Sequence, residues 1–413
     1  MNVIIVGGGI AGLAFALGLK QRGIPCAIYE GAPEIQALGV GITLLPHAMR
    51  ELAALGLEPR LREVAIENHW HRFFNRHGQW IYEEPRGKFA GYPYPEFGIH
   101  RGRLHLVLLE AVNARLGAGS VHTNHLCTGV EQDAQGVTVH FKETTTGREL
   151  PSVLGDIAVA CDGVNSVIRK QFYPDDQLAF AGINMWRGVT LHKPIFDGRT
   201  YMRIGSIDTG KMVVYPIIDD ADGQGNQLVN WVAELRRPGS AMNDWHQPGK
   251  LEDFFDVYKD WRFDWLDVAA LISDAQQILE YPMVDKDPLE RWTFGRVTLM
   301  GDAAHPMYPR GANGAAQAII DSRTLADLLA RMSDPREALM AYERARLEVT
   351  AGIVRTNRQF PPDYINIKVD ELTGGRPFGH IDDVISQDEL RRIAANYERI
   401  AGFSREAVES PGG

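Results

Sequence analysis

Cysteine is scarce in this chain. Its 413 residues include three, Cys26, Cys127 and Cys161, scattered and without CxxC spacing. An odd, dispersed set argues against a disulfide scaffold and against a zinc site. It points instead to a reducing, cytoplasmic setting with the thiols in the core and no metal. Basic runs are missing too. The net charge is -10, which disfavours nucleic acid or anionic membrane as a partner. It also leaves any acidic substrate to be held by local groups rather than by long-range attraction. Apolar runs of membrane-spanning length are absent. Val3 to Leu19 could pass for a signal peptide, but no basic segment precedes it and Gly7, Gly8, Gly9 and Gly12 interrupt it, so a strand, a turn and a helix explain it better. There is no Ser–His–Asp set, no second GxGxxG between a strand and a helix, and no internal repeat.

What is present fits a large globular enzyme. Hydrophobic residues make up 45% and charged residues 23%, enough for a sizeable core and two domains with a small third piece. Asn2 to Val6 is a continuous apolar run, as in a parallel strand buried on both faces. Ala11 to Gln21 reads as a helix and Cys26 to Tyr29 as a second strand, completing a βαβ unit. Pro46–Leu55 and Leu104–Leu116 read as helices. Val121–Val130, Val137–Phe141 and Ile157–Ala160 read as strands. After about residue 181 the texture changes. Ile183–Leu191, Met212–Ile218 and Leu228–Leu235 are rich in aromatic and β-branched residues, as in an antiparallel sheet. Leu251 to Ile272 reads as a helix with Trp261 and Trp265 one turn apart in the core. Arg296–Met300 returns to the buried-strand pattern and Ala315–Met332 is a long helix. Ser386–Ile400 is an amphipathic helix capped by Ser386, with Glu389 three residues on.

The first motif is Gly7-x-Gly9-x-x-Gly12, between a strand and a helix, with Glu30 at the end of the second strand. The glycines permit a tight turn and close approach of a pyrophosphate to Ile10, Ala11 and the helix N-terminus. Glu30 can accept hydrogen bonds from ribose hydroxyls. By itself the motif does not separate FAD from NAD. The second is Arg296 to His305, a strand entering the Gly301-Asp302 turn, followed by Pro309, Gly311, Ala312, Asn313 and Gly314 and then the long helix. The third is Cys161-Asp162-Gly163-x-x-Ser166-x-x-Arg169.

Taken in this order, over roughly residues 1 to 360, the three motifs resemble those of the FAD-dependent aromatic hydroxylases, the class A flavoprotein monooxygenases. Within that family, Met185–Gly188, Leu228–Val232, Tyr281–Asp285 and Met307–Gly314 look most like phenazine-1-carboxylate-type hydroxylases. The resemblance implies an α/β fold: a discontinuous Rossmann-like FAD domain (1–70, 98–180, 282–360), an inserted mainly antiparallel sheet for substrate (71–97, 181–281) and a helical tail (361–413). It implies that Asp302 holds a ribitol hydroxyl, that Asp162 serves flavin and nicotinamide nucleotide, and that Cys127 belongs to the cofactor site. An arginine at the start of the helix after His100 would reach the FAD phosphates, Arg103 in preference to Arg101. It implies hydride transfer from NADH or NADPH to FAD, then reaction with O2 to a flavin C4a-hydroperoxide. That species would hydroxylate a small aromatic or N-heteroaromatic substrate, with or without loss of a carboxylate, in a monomer or homodimer.

The hard chemistry then belongs to the cofactor, and the protein must supply a dry, aromatic pocket. Candidates for its wall are Trp186, Tyr215, Trp231, Tyr281, Met307 and Tyr308, each of which could instead be plain core. Gly41, in the Gly39–Ile42 loop, is expected beside the flavin ring. Arg310 departs from the phenazine pattern; it either pairs with a substrate carboxylate or points outward into solvent. If the substrate ring needs deprotonation, Tyr215 or His47 is the candidate base. Rival readings are an oxidase or dehydrogenase on the same fold, a halogenase, and a flavin-free binding protein. The halogenase reading lacks its Trp-x-Trp-x-Ile-Pro stretch. The flavin-free reading is tested directly: the purified chain is expected to be yellow, with the blue-light absorption of oxidised flavin, and a colourless protein that takes up no added FAD would refute the flavoprotein assignment.

Overall fold

The computed structural model describes residues 1–37, 39–237 and 247–409; position 38, the stretch 238–246 within the expected substrate domain and the last four positions of the expected tail lie outside the described residues. Val3–Val6 is buried along its whole length because it has a parallel neighbour on each side, Ile157–Ala160 and Cys26–Tyr29. Val297–Leu299 extends the sheet in parallel beyond Ile157–Ala160. Among the described residues this sheet has six strands, with Thr293–Phe294 and Val121–His122 at its edges. Three stretches far apart in sequence thus build one sheet. The helix Ile10–Gln21 covers it and packs on the long helix Asn313–Arg331, and together they form the largest apolar core of the molecule.

The expected strand Val121–Val130 is two strands. Asn124 adopts a left-handed backbone (φ 59°), which ends the first at His122. The second, Leu126–Gln132, leaves the parallel sheet and pairs antiparallel with Val137–Lys142.

Among the described residues a second sheet of eight strands contains the aromatic-rich region in the order Gln277–Asp285, Ala179–His192, Gln227–Arg236, Gly210–Ile218, Thr200–Ser206, Trp70–Phe74 and Trp80–Pro85, with Gln247–Pro248 at the first edge. Its central strands alternate, with bulges near Phe180–Asn184, Pro216–Ile218 and Phe73–Phe74. Trp186, Trp231, Met212, Val214, Met202 and Ile204 point to the outer face and pack under Phe254, Tyr258 and Trp261. Their sequence neighbours, including Met185, Arg187, Val213, Tyr215 and Val232, point the other way, toward the dinucleotide-binding side.

The segment 251–272 corrects the expected single helix. It contains a short turn at Leu251–Asp253, the helix turn Phe255–Tyr258, a hairpin pairing Arg262–Phe263 with Leu266–Asp267, and the helix Val268–Ser273. Asp267 caps that last helix by accepting from the Ala270 amide at 2.9 Å, so the chain restarts there rather than continuing. Trp261 is in the core and Trp265 packs against it, as expected, yet Trp261 precedes a hairpin and Trp265 sits in its turn, rather than one helical turn apart. Burial of their rings under the sheet outweighs local helical spacing.

After Phe360 the chain crosses the molecule as the helices Tyr364–Thr373, Gln387–Ile400 and Arg405–Glu409. Ser386 caps the second of these by accepting from the Glu389 amide, as the sequence indicated. Asn366 donates to the Phe74 carbonyl at 2.8 Å, and Asp363 lies 3.2 Å from Lys211, so the tail is fastened to the second sheet.

Trp231 is fully buried and donates to Thr190 Oγ1 at 3.0 Å on the outer face. Trp231→Ala is expected to lower unfolding free energy by about 3–5 kcal/mol in urea titrations, through the cavity it leaves. Ligand affinity should change little, because the ring faces away from the cavity.

Candidate active site

A cavity of about 550 Å³ runs between the two sheets. At one end it is lined by Gly9, Ile10 and Ala11, and at the other by Val232 and Tyr281. The Gly-rich turn takes its shape from steric necessity. Gly7 has φ 106° and lies against the Cys161 carbonyl, and a side chain at Gly12 would run into the carbonyl of Gly7. The amides at the start of the Ile10–Gln21 helix therefore lie bare at the cavity wall, as an anion-binding turn requires. The Glu30 carboxylate accepts from the Gly8 amide at 2.6 Å and from the Ala32 amide at 2.7 Å, so it locks the second strand to this turn.

Asp302, Pro309, Ala312, Asn313 and Gly314 line the same cavity, as do Gly39, Val40, Gly41, Cys161 and Gly163. The long helix begins at Asn313 with no acidic residue in its first turn, so the positive end of its dipole meets the cavity, with the Asp302 carboxyl beside it. Asp302 opens onto the cavity, yet the protein mass around it pushes its carboxyl above the usual range, while His305 and Arg101 pull the other way. Asp162 has one carboxylate oxygen accepting from the Val167 amide at 3.0 Å. Its other oxygen is buried with no partner among the described residues, and burial pushes the carboxyl up to about 6. A pyrophosphate-shaped turn, a helix start and a cavity-facing Asp302, with an unspent buried acceptor on Asp162 between the lining residues Cys161 and Gly163, fit a bound FAD.

Several expected residues are elsewhere. Arg101 lines the cavity and Arg103 does not, because residues two apart on the Arg101–Leu116 helix point in opposed directions. Trp186 and Trp231 are on the outer face of the sheet, one residue out of phase with the cavity wall. Cys127 is buried on Leu126–Gln132 outside the cavity lining, and burial pushes its thiol up to about 12. Arg310 is buried rather than solvated, and it is outside the cavity lining as well; its Nε has no partner among the described residues. Tyr281, Met307 and Tyr308 do line the cavity.

Of the two candidate bases, His47 is buried between helices, stacked on Phe403 at 5.6 Å and beside Gln317. Burial, with Arg50 and Arg346 nearby, pulls it down to about 3, and it does not reach the cavity. Tyr215 is on the wall, but burial raises its phenol above the ordinary value, against the pull of Arg187. It is a neutral hydrogen-bonding group there.

The wall also holds residues not named as pocket candidates from the sequence: Met185, Arg187, Tyr201, Arg203, Lys211, Val213, Val232 and Glu234. Strand alternation was the signal that could have found them, since Lys211 and Val213 share the parity of Tyr215. Lys211 is paired with Glu234 at 2.9 Å.

Beneath the Gly301 turn sits a buried hub. Asp321 Oδ2 lies 2.5 Å from His305 Nε2 and accepts from the Gly301 amide at 3.2 Å, while Oδ1 accepts from Arg346 Nε at 2.8 Å. Against its own burial, His305 and Arg346 hold the carboxyl down to about 2.

The architecture and site define a flavin-binding oxidoreductase, and comparison with known proteins gives the family. The FAD binding domain family model matches residues 1–202 and 267–357. Phenazine 1,6-dicarboxylic acid hydroxylase of Lysobacter antibioticus is 42% identical over 86% of this chain and 89% of its own length. The 3-hydroxybenzoate 6-hydroxylase 1 of Aquipseudomonas alcaligenes is 31% identical over 88% and 89%. The fold is shared with Klebsiella pneumoniae HpxO complexed with FAD and uric acid (TM-score 0.76, 23% identity, covering 100% of this chain and 98% of that one). It is also shared with 2,6-dihydroxypyridine-3-hydroxylase of Arthrobacter nicotinovorans (TM-score 0.72, 23% identity, 87% and 91%). This chain belongs to the FAD-binding family of aromatic-ring monooxygenases, which consume NAD(P)H and O2.

Asp321→Asn removes the charge that both His305 and Arg346 face. It is expected to cost about 3–5 kcal/mol in urea or thermal unfolding at neutral pH. Because the folded carboxyl is depressed, the wild-type advantage is present above the unfolded carboxylate value of about 3.9. It should drain away as pH falls from there through about 2.

Proposed function

We propose that this enzyme hydroxylates a planar N-heteroaromatic acid of the phenazine-carboxylate type, in the cytoplasm, as a monomer or homodimer. One observation carries the reading. The substrate-side wall combines Met185, Val213, Val232, Tyr215 and Tyr281 with the cationic side chains Arg187 and Arg203. Such a surface suits a flat ring system bearing acid, and an acidic protein needs local cations to hold one. The likeness to the phenazine-diacid hydroxylase over most of both chains supports it.

The residue roles follow the same logic. Gly7, Gly9, Ile10, Ala11 and Gly12 form the pyrophosphate turn, and Arg101 is the phosphate-binding arginine, its guanidinium suited to bidentate contact. Glu30 holds the adenosine ribose, Asp302 the ribitol, and Asp162 the region shared with the nicotinamide nucleotide. The helix start at Asn313 and Gly314 lines the cavity, where its dipole would favour negative charge on a bound flavin. A bound FAD would supply the redox chemistry, hydride acceptance from NAD(P)H and activation of O2 for transfer of one oxygen atom. The chain's own part is to exclude water, orient the ring and keep Tyr215 protonated as a hydrogen-bonding partner. The division into a discontinuous FAD domain (1–70, 98–180, 282–360), a substrate sheet (71–97, 181–281) and a tail (361–413) is part of this proposal.

The decisive assay follows NADH and NADPH oxidation with phenazine, benzoate and pyridine acids, identifying products by mass under labelled O2. A phenazine acid is expected to give a product carrying one labelled oxygen with little peroxide release; turnover only with benzoates, or peroxide alone, would refute the substrate assignment. Flavin titration checks the arginine assignment: Arg101→Ala should weaken FAD binding on the order of tenfold or more, and Arg103→Ala should leave it within about twofold.

A further inference from the structure

We propose that Tyr397, in the C-terminal tail, is a positioning residue for the flavin: its hydroxyl holds the Gly311–Asn313 turn from which the long helix enters the cavity. The inference rests on the reading above that a bound flavin meets the helix start at Asn313 and Gly314. The backbone of the turn is the first observation. Among the described residues, four other than glycine have a left-handed φ: Asn124, Phe196, Asp220 and Ala312. Of these Ala312, at φ 56°, is the one that lines the cavity. Gly311 just before it has φ 71°, so two left-handed residues follow one another. Glycine adopts that conformation freely, whereas alanine does not, so the surroundings must impose it on residue 312.

Tyr397 is the side chain that does so. Asn313 Nδ2 donates to the Gly311 carbonyl at 3.1 Å and to the Tyr397 hydroxyl at 3.0 Å, which uses both hydrogens of the amide. The hydroxyl in turn donates at 2.9 Å to Asn357 Oδ1, on the helix Pro335–Gln359. Tyr397, Asn313 and Asn357 are all buried. The hydroxyl also fills the place of a side chain at position 311, where a Cβ would collide with it. The tyrosine ring packs with Leu45, Ala401 and Phe403, and Ala312 packs against the same cluster. Ala312 lines the main cavity and also a chamber of about 40 Å³ that Tyr397 lines. The turn therefore stands between the flavin cavity and the tail.

Without the hydroxyl, an Asn313 hydrogen and the Asn357 amide oxygen lose their buried partner together, which is costly. The turn then loses what keeps Ala312 left-handed, and the helix dipole is no longer held at one angle to the cavity. Tyr92 gives the contrast. Its hydroxyl donates to the Phe403 carbonyl at 3.0 Å, so it fastens the same tail with no hydrogen bond to residues 311–313 among the described residues.

The test is a redox titration of the FAD-loaded enzyme, following the flavin absorption spectrum against a reference dye. Tyr397→Phe keeps the ring and removes the hydroxyl, and Asn313→Ala breaks the same hydrogen bond from the cavity side. Each is expected to weaken the preference for reduced over oxidised FAD on the order of tenfold, a fall in midpoint potential of about 30 mV for two electrons. Tyr92→Phe loosens the tail elsewhere and should leave the potential at the wild-type value. A lower melting temperature in Tyr397→Phe at an unchanged potential overturns the inference, because the tyrosine then only fastens the tail. An equal fall in Tyr92→Phe overturns it too, as does a fall in Tyr397→Phe with none in Asn313→Ala, since the hydroxyl would not then act through the turn. A fall in Asn313→Ala alone leaves the helix-start reading standing without the tyrosine, whereas no fall in either variant overturns both.

Discussion

The site depends on one buried carboxylate. Asp321 sits two turns into the long helix whose start faces the cavity, and it binds the Gly301 amide, His305 and Arg346 together. It thereby ties the end of a parallel strand, the Asp302 turn, the long helix and the helix after it into one rigid unit. A fully buried ion group of this kind is tolerated only because both oxygens meet donors, two of them on opposed cationic or polar side chains. Arg346 also reaches Gln317 at 2.5 Å, on the same helix face, so the helix cannot rotate without breaking both contacts. The orientation of the helix dipole toward the cavity follows from that restraint.

The second determinant is the parity of the antiparallel sheet. Alternation gives one face to tryptophan, methionine and isoleucine, which anchor the covering segment, and the other to a mixture of valine, tyrosine and charge. A shift of one residue would place Trp186 and Trp231 in the cavity and Arg187 in the core. The tail is fastened to the same face. Asp363 lies beside Lys211, and Tyr397 accepts from Asn313 Nδ2 at 3.0 Å, so the C-terminal helices support both the sheet wall of the cavity and the start of the long helix.

The half of the cavity beside the glycine turn was partly legible in the sequence, because residues there are contiguous with the elements that shape them. The glycine turn, Glu30, Asp302 and the start of the long helix sit at element boundaries, where local steric and dipole rules fix their direction. The substrate half was less so. Tyr215, Tyr281, Met307 and Tyr308 line the cavity, whereas Trp186 and Trp231 do not, because an aromatic-rich strand suits burial on either face. Arg101 and Arg103 are equally plausible in a list and differ only in helical phase. The segment 251–272 misled for a related reason, since the capping side chain of Asp267 and the pull of aromatic burial both act against its helical spacing.

By itself the sequence determined the flavin class, the order of the motifs and the parallel sheet that joins three distant segments, because each is specified by residues within one turn or strand of each other. Only the tertiary structure decided which face of the second sheet meets the cavity, that His47 is sealed away from it, and that Arg187 and Arg203 end one row across it. Those facts depend on strand register and on long-range packing against residues more than a hundred positions away, which no local pattern encodes.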